Sequence, residues 1–136
     1  MSIATLLPEK YRYLLQDETQ AYAWVATASE DGQPQLTCVW FNTDGEHILF
    51  NTTDRSAKYK LLSKNPNIAV AIPDPKNPHM YFQARGRVEI TTVEAVEHTH
   101  QLSRKYTGQD FKLFPGVERM KFIVHTDSIT LWPPQN

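Results

Sequence analysis

The sequence predicts a mainly β fold: about six short antiparallel strands, with a short helix inserted and a longer one near the end, closed into a barrel or sandwich. Three observations predict it. Large and small apolar residues alternate with period two in NIAVAI (67–72), and YFQARGRVEI (81–90) alternates in the same period. Two Asp-Gly pairs, Asp31-Gly32 and Asp44-Gly45, stand between strand-like runs, where they signal tight hairpin turns. Short strands of this number close on themselves because closure removes their exposed edges. The chain of 136 residues has no repeat, linker or low-complexity segment, so one domain over 1–136 is expected.

Taken in order, Pro8 suits a first helical position, and Tyr11, Leu14 and Leu15 follow at helical spacing. AYAWVATAS (21–29) reads as a strand with Tyr22 and Trp24 on one face. QPQLTCVWFN (33–42) reads as the next, its start confined by Pro34 to an edge or strand end. Around Val39-Trp40-Phe41 both faces turn apolar, so both are expected to be covered. The second Asp-Gly then leads into HILFNTT, giving three strands as a meander. Residues 56–64 form a short helix that Asp54 or Ser56 can cap, with Ala57, Leu61 and Leu62 towards the core and Asn65-Pro66 as its stop. In 67–72, Ile68, Val70 and Ile72 share one face, and Ala69 and Ala71 leave room on the other. PDPKNPH reads as an ordered or extended loop. In 81–90, Phe82, Ala84, Gly86, Val88 and Ile90 oppose Tyr81, Gln83, Arg85, Arg87 and Glu89. Thr91-x-x-Glu94 matches a capping box before a helix that runs to about Tyr106 and ends at Gly108. Residues 118–132 form a last long strand, with an irregularity expected at Asp127-Ser128.

Composition excludes some classes of function. The formal net charge is −1, so no global attraction to nucleic acid or anionic lipid is indicated. No segment approaches the about 18 consecutive apolar residues of a membrane span, and no secretion signal opens the chain, so a cytoplasmic protein is expected. Cys38, the single cysteine, reads as a small buried hydrophobe. His98 and His100 are two apart on a helix and do not share a face, and His47, His79 and His125 lack ligand spacing, so no metal site is expected. The phosphate-cradling glycine motifs and the GxSxG nucleophile motif are missing.

One stretch stands out. In NTTDRSAKYK (51–60), hydroxyls and cations gather where a strand hands over to a helix. A helix N-terminus with Thr52, Thr53, Ser56, Arg55 and Lys58 around it suits a phosphate group; a capped surface helix with solvated lysines also accounts for it.

DGQPQLTCVWF, the Asp-Gly turn with HILFNTT, SAKYKLLSKNPNIAVAI, DPKNPHMYFQARGRVEIT and the later RKYTG, in this order and spacing, resemble the pyridoxamine 5′-phosphate oxidase-like superfamily. The likeness runs from about Ala21 to Trp132 and is nearest to the small flavin- or deazaflavin-dependent branch. The resemblance implies a six-stranded antiparallel split β-barrel with short flanking helices, forming a homodimer with two cofactor sites at its interface. It implies FMN or F420 as cofactor, with a lean to F420, and a hydride passed between that cofactor and a small conjugated substrate. Carried over by position, Asn51, Thr52 and Thr53 would meet the ring edge and phosphate, and Ser56 and Lys58 the phosphate. Arg55 lies one residue before the position where relatives often place an arginine. Gln35, Thr37 and Val39 would lie beside the ring, and Tyr81 replaces a glutamine that contacts the cofactor from the other subunit. Trp40 and Tyr81 can line the substrate side, and Tyr81, His79 or solvent can deliver a proton. The chain ends at LWPPQN, without the C-terminal segment of true pyridoxamine phosphate oxidases, so that reaction is not expected. A binding module without turnover, a flavin carrier, sensor or haem-type binder, is the competing reading.

Overall fold

Both Asp-Gly pairs make the turns that the sequence predicts. Gly32 and Gly45 take φ of 89° and 92°, a region glycine enters without steric cost. The computed structural model describes residues 2–134. The strands are β1 (Ala23–Ala28), β2 (Pro34–Val39), β3 (Asn42–Thr43), β4 (Ile48–Thr53), β5 (Asn67–Asp74), β6 (Asn77–Thr91) and β7 (Arg119–Trp132). The α-helices are α1 (Ile3–Leu6), α2 (Ala57–Lys64) and α3 (Ala95–Thr107), and Glu9–Leu15 and Asp17–Thr19 are 3-10 turns.

All pairings are antiparallel, in the order β2-β1-β5-β6-β7-β4-β3. The strands number seven rather than six, because the expected strand 33–42 breaks at Trp40-Phe41 into β2 and β3. These two pieces lie on opposite edges of the sheet. The expected meander of three neighbouring strands is therefore replaced by a crossing. That crossing dictates the shape. Seven strands about 4.8 Å apart would put the two edges roughly 29 Å apart in a flat sheet. The three Cα steps from Val39 to Asn42 reach at most about 11 Å. The sheet must roll until its edges approach, and β2 and β3 still do not pair, so the barrel stays split along one seam.

At the crossing the chain leaves the ladder, and α3 supplies the missing partners. The Phe41 amide donates to Tyr106 Oη (3.3 Å), and the Phe41 carbonyl accepts from Lys105 Nζ (2.7 Å). Phe41 itself is fully buried, so unpaired backbone groups there would carry a desolvation cost.

The barrel's inner face is Ala23 and Val25 of β1, Ile68, Val70 and Ile72 of β5, Phe82 and Ala84 of β6, and Phe122 and Val124 of β7, as the alternation predicts. Phe50 of β4 stacks on Phe122 with ring centroids 4.7 Å apart. β6 and β7 pair along most of their length, with a register shift beside Gly86 that leaves Asp127 opposite no residue, the irregularity expected near Asp127-Ser128. Helix α2 packs against both β1 and β4 and so bridges the seam.

Three local expectations change. PDPKNPH is not a loop: β5 and β6 run through it and turn at Pro75-Lys76, where the Asp74 carboxylate accepts from the Lys76 amide (2.8 Å). The capping box does not form. Thr91 Oγ1 accepts from the Val93 amide (3.0 Å), and Glu94 takes φ of 57° without capping α3 by its side chain. Ala57 is exposed, and Lys58 takes the buried place beside Leu62.

Candidate functional site

The seam holds a cavity of about 350 Å³. It is lined by Cys38 and Val39 at the end of β2 and Trp40 just after it, Asn51 and Thr52 from β4, Lys58 from α2, Thr99 and Leu102 from α3, Phe111, and Arg119 from β7. The cavity lies here because two sheet edges come close without pairing.

Lys58 is in the first turn of α2, where side chains lean back towards the helix start. Ser56 caps this helix, its Oγ accepting from the Tyr59 amide (3.1 Å). Lys58 thus turns into the seam, where it is buried at 8% exposure and Nζ donates to Thr37 Oγ1 (2.8 Å). Among the described residues no carboxylate pairs with it. Burial pulls its pKa below the ordinary lysine value, because a charge removed from water without a counter-charge is costly.

Asn51, on the same cavity, organises a polar network. Its Nδ2 donates to the Ala95 carbonyl (3.0 Å) and to His98 Nδ1 (3.1 Å). Its Oδ1 accepts from Thr99 Oγ1 (2.9 Å) and from Arg119 Nε (2.9 Å). With Nδ1 accepting, His98 carries its proton on Nε2 and donates to Asn42 Oδ1 (2.8 Å). His98 is 1% exposed. Burial, with Lys121 and Arg119 adding repulsion, pushes its pKa down to about 4, so it is neutral at pH 7. The Arg119 guanidinium lies 5.2 Å from the centre of the Phe111 ring.

The remaining wall is aromatic. Trp40 stacks on Tyr106 (5.2 Å, 12° between planes), and Tyr106 stacks on Tyr22 (5.2 Å, 22°). The Tyr106 hydroxyl also donates to the Ala21 carbonyl, so the ring behind Trp40 is fixed at both ends.

Of the residues chosen from sequence, Val39, Asn51, Thr52 and Lys58 line this cavity, with Thr37 joined to it through Lys58. Gln35 shares the inward face of β2 with Thr37 and Val39, opposite Thr27. The others have different duties in this chain. Thr53 Oγ1 accepts from the Arg55 amide (3.3 Å), Arg55 is exposed and reaches the Gly116 carbonyl (3.4 Å), and the Ser56 hydroxyl is the helix cap. Tyr81 lies on β6 opposite Pro73 and Trp132, outside the lining of the cavity. Trp40 lines the cavity. Cys38 is exposed rather than buried, since it points away from the barrel beside Trp24. Arg119, Thr99, Leu102 and Phe111 were not legible, because they reach the seam only through the docking of α3 and β7.

Among the described residues no helix is long and apolar enough to cross a membrane, and no three His, Cys, Asp or Glu side chains are grouped to hold a metal ion.

A sheet rolled into a barrel and split along one seam, with a cation-lined cavity in that seam, defines a split-barrel protein. The family model described as pyridoxamine 5′-phosphate oxidase matches residues 7–126, and the chain belongs to that family. It is 31% identical to an F420 reductase of known structure, with a TM-score of 0.79 over 91% of this chain and 98% of the other. General stress protein 26 from Bacillus anthracis superposes with a TM-score of 0.70 at 19% identity, over 93% of this chain and 94% of the other. HupZ from Group A Streptococcus does so at 0.67 and 19%, over 92% and 93%. The last two share the fold. No curated protein sequence matches the chain.

Proposed function

We propose that residues 1–136 form one cofactor-binding domain, which holds FMN or F420 in the seam cavity and acts as an oxidoreductase on a small conjugated substrate. The observation that carries this reading is Lys58: a buried ammonium with no carboxylate partner among the described residues, facing a cavity. Such a charge is costly to keep unless an anion completes it. The donor set fits a phosphate. Lys58 Nζ has one protein acceptor, Thr37, and Thr52 stands on the same cavity. Val39 and Trp40 offer an apolar wall that excludes water from a planar ring. When bound, the cofactor supplies the hydride-transfer chemistry. The chain's own residues would hold its anionic end through Lys58 and offer Val39 and Trp40 as an apolar wall that keeps the pocket dry; no side chain is required as nucleophile. The likeness to an F420 reductase supports F420 beside FMN.

The reading includes a homodimer. Leu36, Trp24 and Trp132 are exposed at 65%, 43% and 47%. By register they share the outward face with Cys38, Ala26, Ala69, Ala71 and Tyr81. Gln83, Arg85 and Thr130 lie on this face too, so it is mixed, with large apolar side chains among polar ones. Such a face suits burial against a second copy, which would carry Tyr81 towards the partner's seam.

The test is a titration of the purified chain with FMN and with F420, followed by absorbance and fluorescence, with Lys58→Ala alongside. Saturable binding that Lys58→Ala weakens by about tenfold or more supports the reading. Unchanged affinity in the variant, or no binding of either cofactor to the wild type, overturns it. Binding without reduction of any conjugated acceptor would leave a carrier or sensor.

A further inference from the structure

We propose that Arg119 forms a second anion subsite in the seam cavity, and that it selects a deazaflavin cofactor bearing negative charge beyond its phosphate, the F420 type, over FMN. This rests on the reading that Lys58 holds the phosphate of a bound cofactor.

Four observations meet at Arg119. Its Nε is committed, donating to Asn51 Oδ1 (2.9 Å) and Thr99 Oγ1 (3.0 Å). Its guanidinium carbon lies over the Phe111 ring, 5.2 Å from the centroid. These contacts fix the orientation of the guanidinium, while its two terminal nitrogens have no hydrogen-bond partner among the described residues. No carboxylate pairs with it there either. Arg119 also borders the adjoining groove together with Glu118, which forms no ion pair among the described residues. Arg119 is half-buried on the lining of the same cavity as Lys58.

The two cations differ in kind. Lys58 is a point charge on α2, steadied by the Thr37 hydroxyl. Arg119 is a fork on β7, pre-oriented by a network whose other titratable member, His98, is neutral at pH 7. A fork with its Nε side occupied and its terminal edge free is shaped for two-pronged contact with a carboxylate or phosphate. With its phosphate held on Lys58, a cofactor would leave that edge open to a second anionic group. A ligand with a further anionic group beyond the phosphate satisfies both, and FMN carries none.

The experiment compares the wild type with Arg119→Met, which keeps the stem over Phe111, and Arg119→Lys, which keeps the charge. The probes are FMN, F420 with its carboxylate tail, and the ribityl deazaflavin that has neither phosphate nor tail. Affinity is read by fluorescence titration and fold by circular dichroism. Arg119→Met is expected to weaken F420 by about tenfold or more and FMN by less than about twofold, with Arg119→Lys between. Equal losses for FMN and F420, or no loss for F420, overturn the proposal and leave Arg119 a support for Asn51. Should the variants fail to fold, the wild type decides. Affinity for F420 must then fall more steeply with added salt than affinity for FMN, and equal slopes overturn the selection. Failure of the underlying reading looks different: Lys58→Ala would bind FMN as the wild type does.

Discussion

Lys58 Nζ stands 2.8 Å from Thr37 Oγ1, joining the first turn of α2 to the edge strand β2 across the seam of the barrel. The contact spans two elements that the sheet itself leaves unpaired. It places a charge where folding alone gives no return for it, so stability and binding should respond oppositely to its removal.

Lys58→Met keeps the apolar stem and removes that charge. Without cofactor, the variant should be more stable than the wild type by about 1 kcal/mol, because replacing a poorly compensated buried charge with an apolar group relieves desolvation. Its cofactor affinity should fall. The gain should shrink as pH rises towards 10.5, the ordinary lysine value. In that range the unfolded wild-type chain still binds a proton that the folded one has shed, which favours folding. Urea unfolding at several pH values measures both effects; a cofactor-free variant less stable than the wild type at pH 7 would contradict the account of Lys58 as an uncompensated cation.

His98 sets an acid limit. Its folded pKa is about 4 against an ordinary 6.5, with burial as the main cause. The folded state therefore resists protonation that the unfolded chain accepts from pH 6.5 downward. Stability is full above about 6.5 and declines as pH falls towards 4, by ~3 kcal/mol at most. His98→Gln offers Asn42 and Asn51 uncharged partners and should flatten this part of the curve. Thermal unfolding from pH 4 to 7 for both proteins checks it; parallel curves would place the acid sensitivity elsewhere.

Gly86 marks the tightest approach in the barrel wall. A Cβ built there would stand 1.9 Å from the His125 carbonyl oxygen and 2.9 Å from its carbon, both backbone atoms of β7. Neither can move without opening the β6–β7 ladder. Gly86→Ala should cost about 3 kcal/mol or more, beyond ordinary overpacking of side chains. The midpoint of urea unfolding reads this directly, and a variant within about 1 kcal/mol of the wild type would mean that the strands part easily there.

The fold was largely legible because each long strand writes its buried face in every second residue, as with Ile68, Val70 and Ile72. The crossing at Trp40-Phe41 was legible only as apolarity on both faces. Which edge the chain crosses to depends on β4 pairing with β7, a contact between residues about 70 apart in sequence. The candidate site divides in the same way. Lys58, Thr52 and Asn51 belong to one local strand-to-helix corner, so their proximity follows from the chain itself. Arg119 and Thr99 reach Asn51 from β7 and α3, and nothing in the spacing of those residues announces the meeting. Cys38 was misplaced because alternation in β2 carries no strong polarity on either face, and only the pairing with Trp24 shows which side is outward.

Leu36 tests the outward face. It is 65% exposed and belongs to no core contact of the single chain. In an isolated subunit Leu36→Glu would be a surface change worth within about 0.5 kcal/mol. Against a second copy it would place a carboxylate in an apolar contact, without a partner, and so weaken association strongly. Sedimentation should therefore show a dimer for the wild type and a shift to monomer for Leu36→Glu, with circular dichroism unchanged. If Tyr81 of one copy completes the other's cofactor pocket, affinity for the cofactor falls together with the dimer. A variant that remains dimeric, or a monomeric variant with undiminished cofactor affinity, would separate the seam cavity from this face and make each subunit sufficient alone.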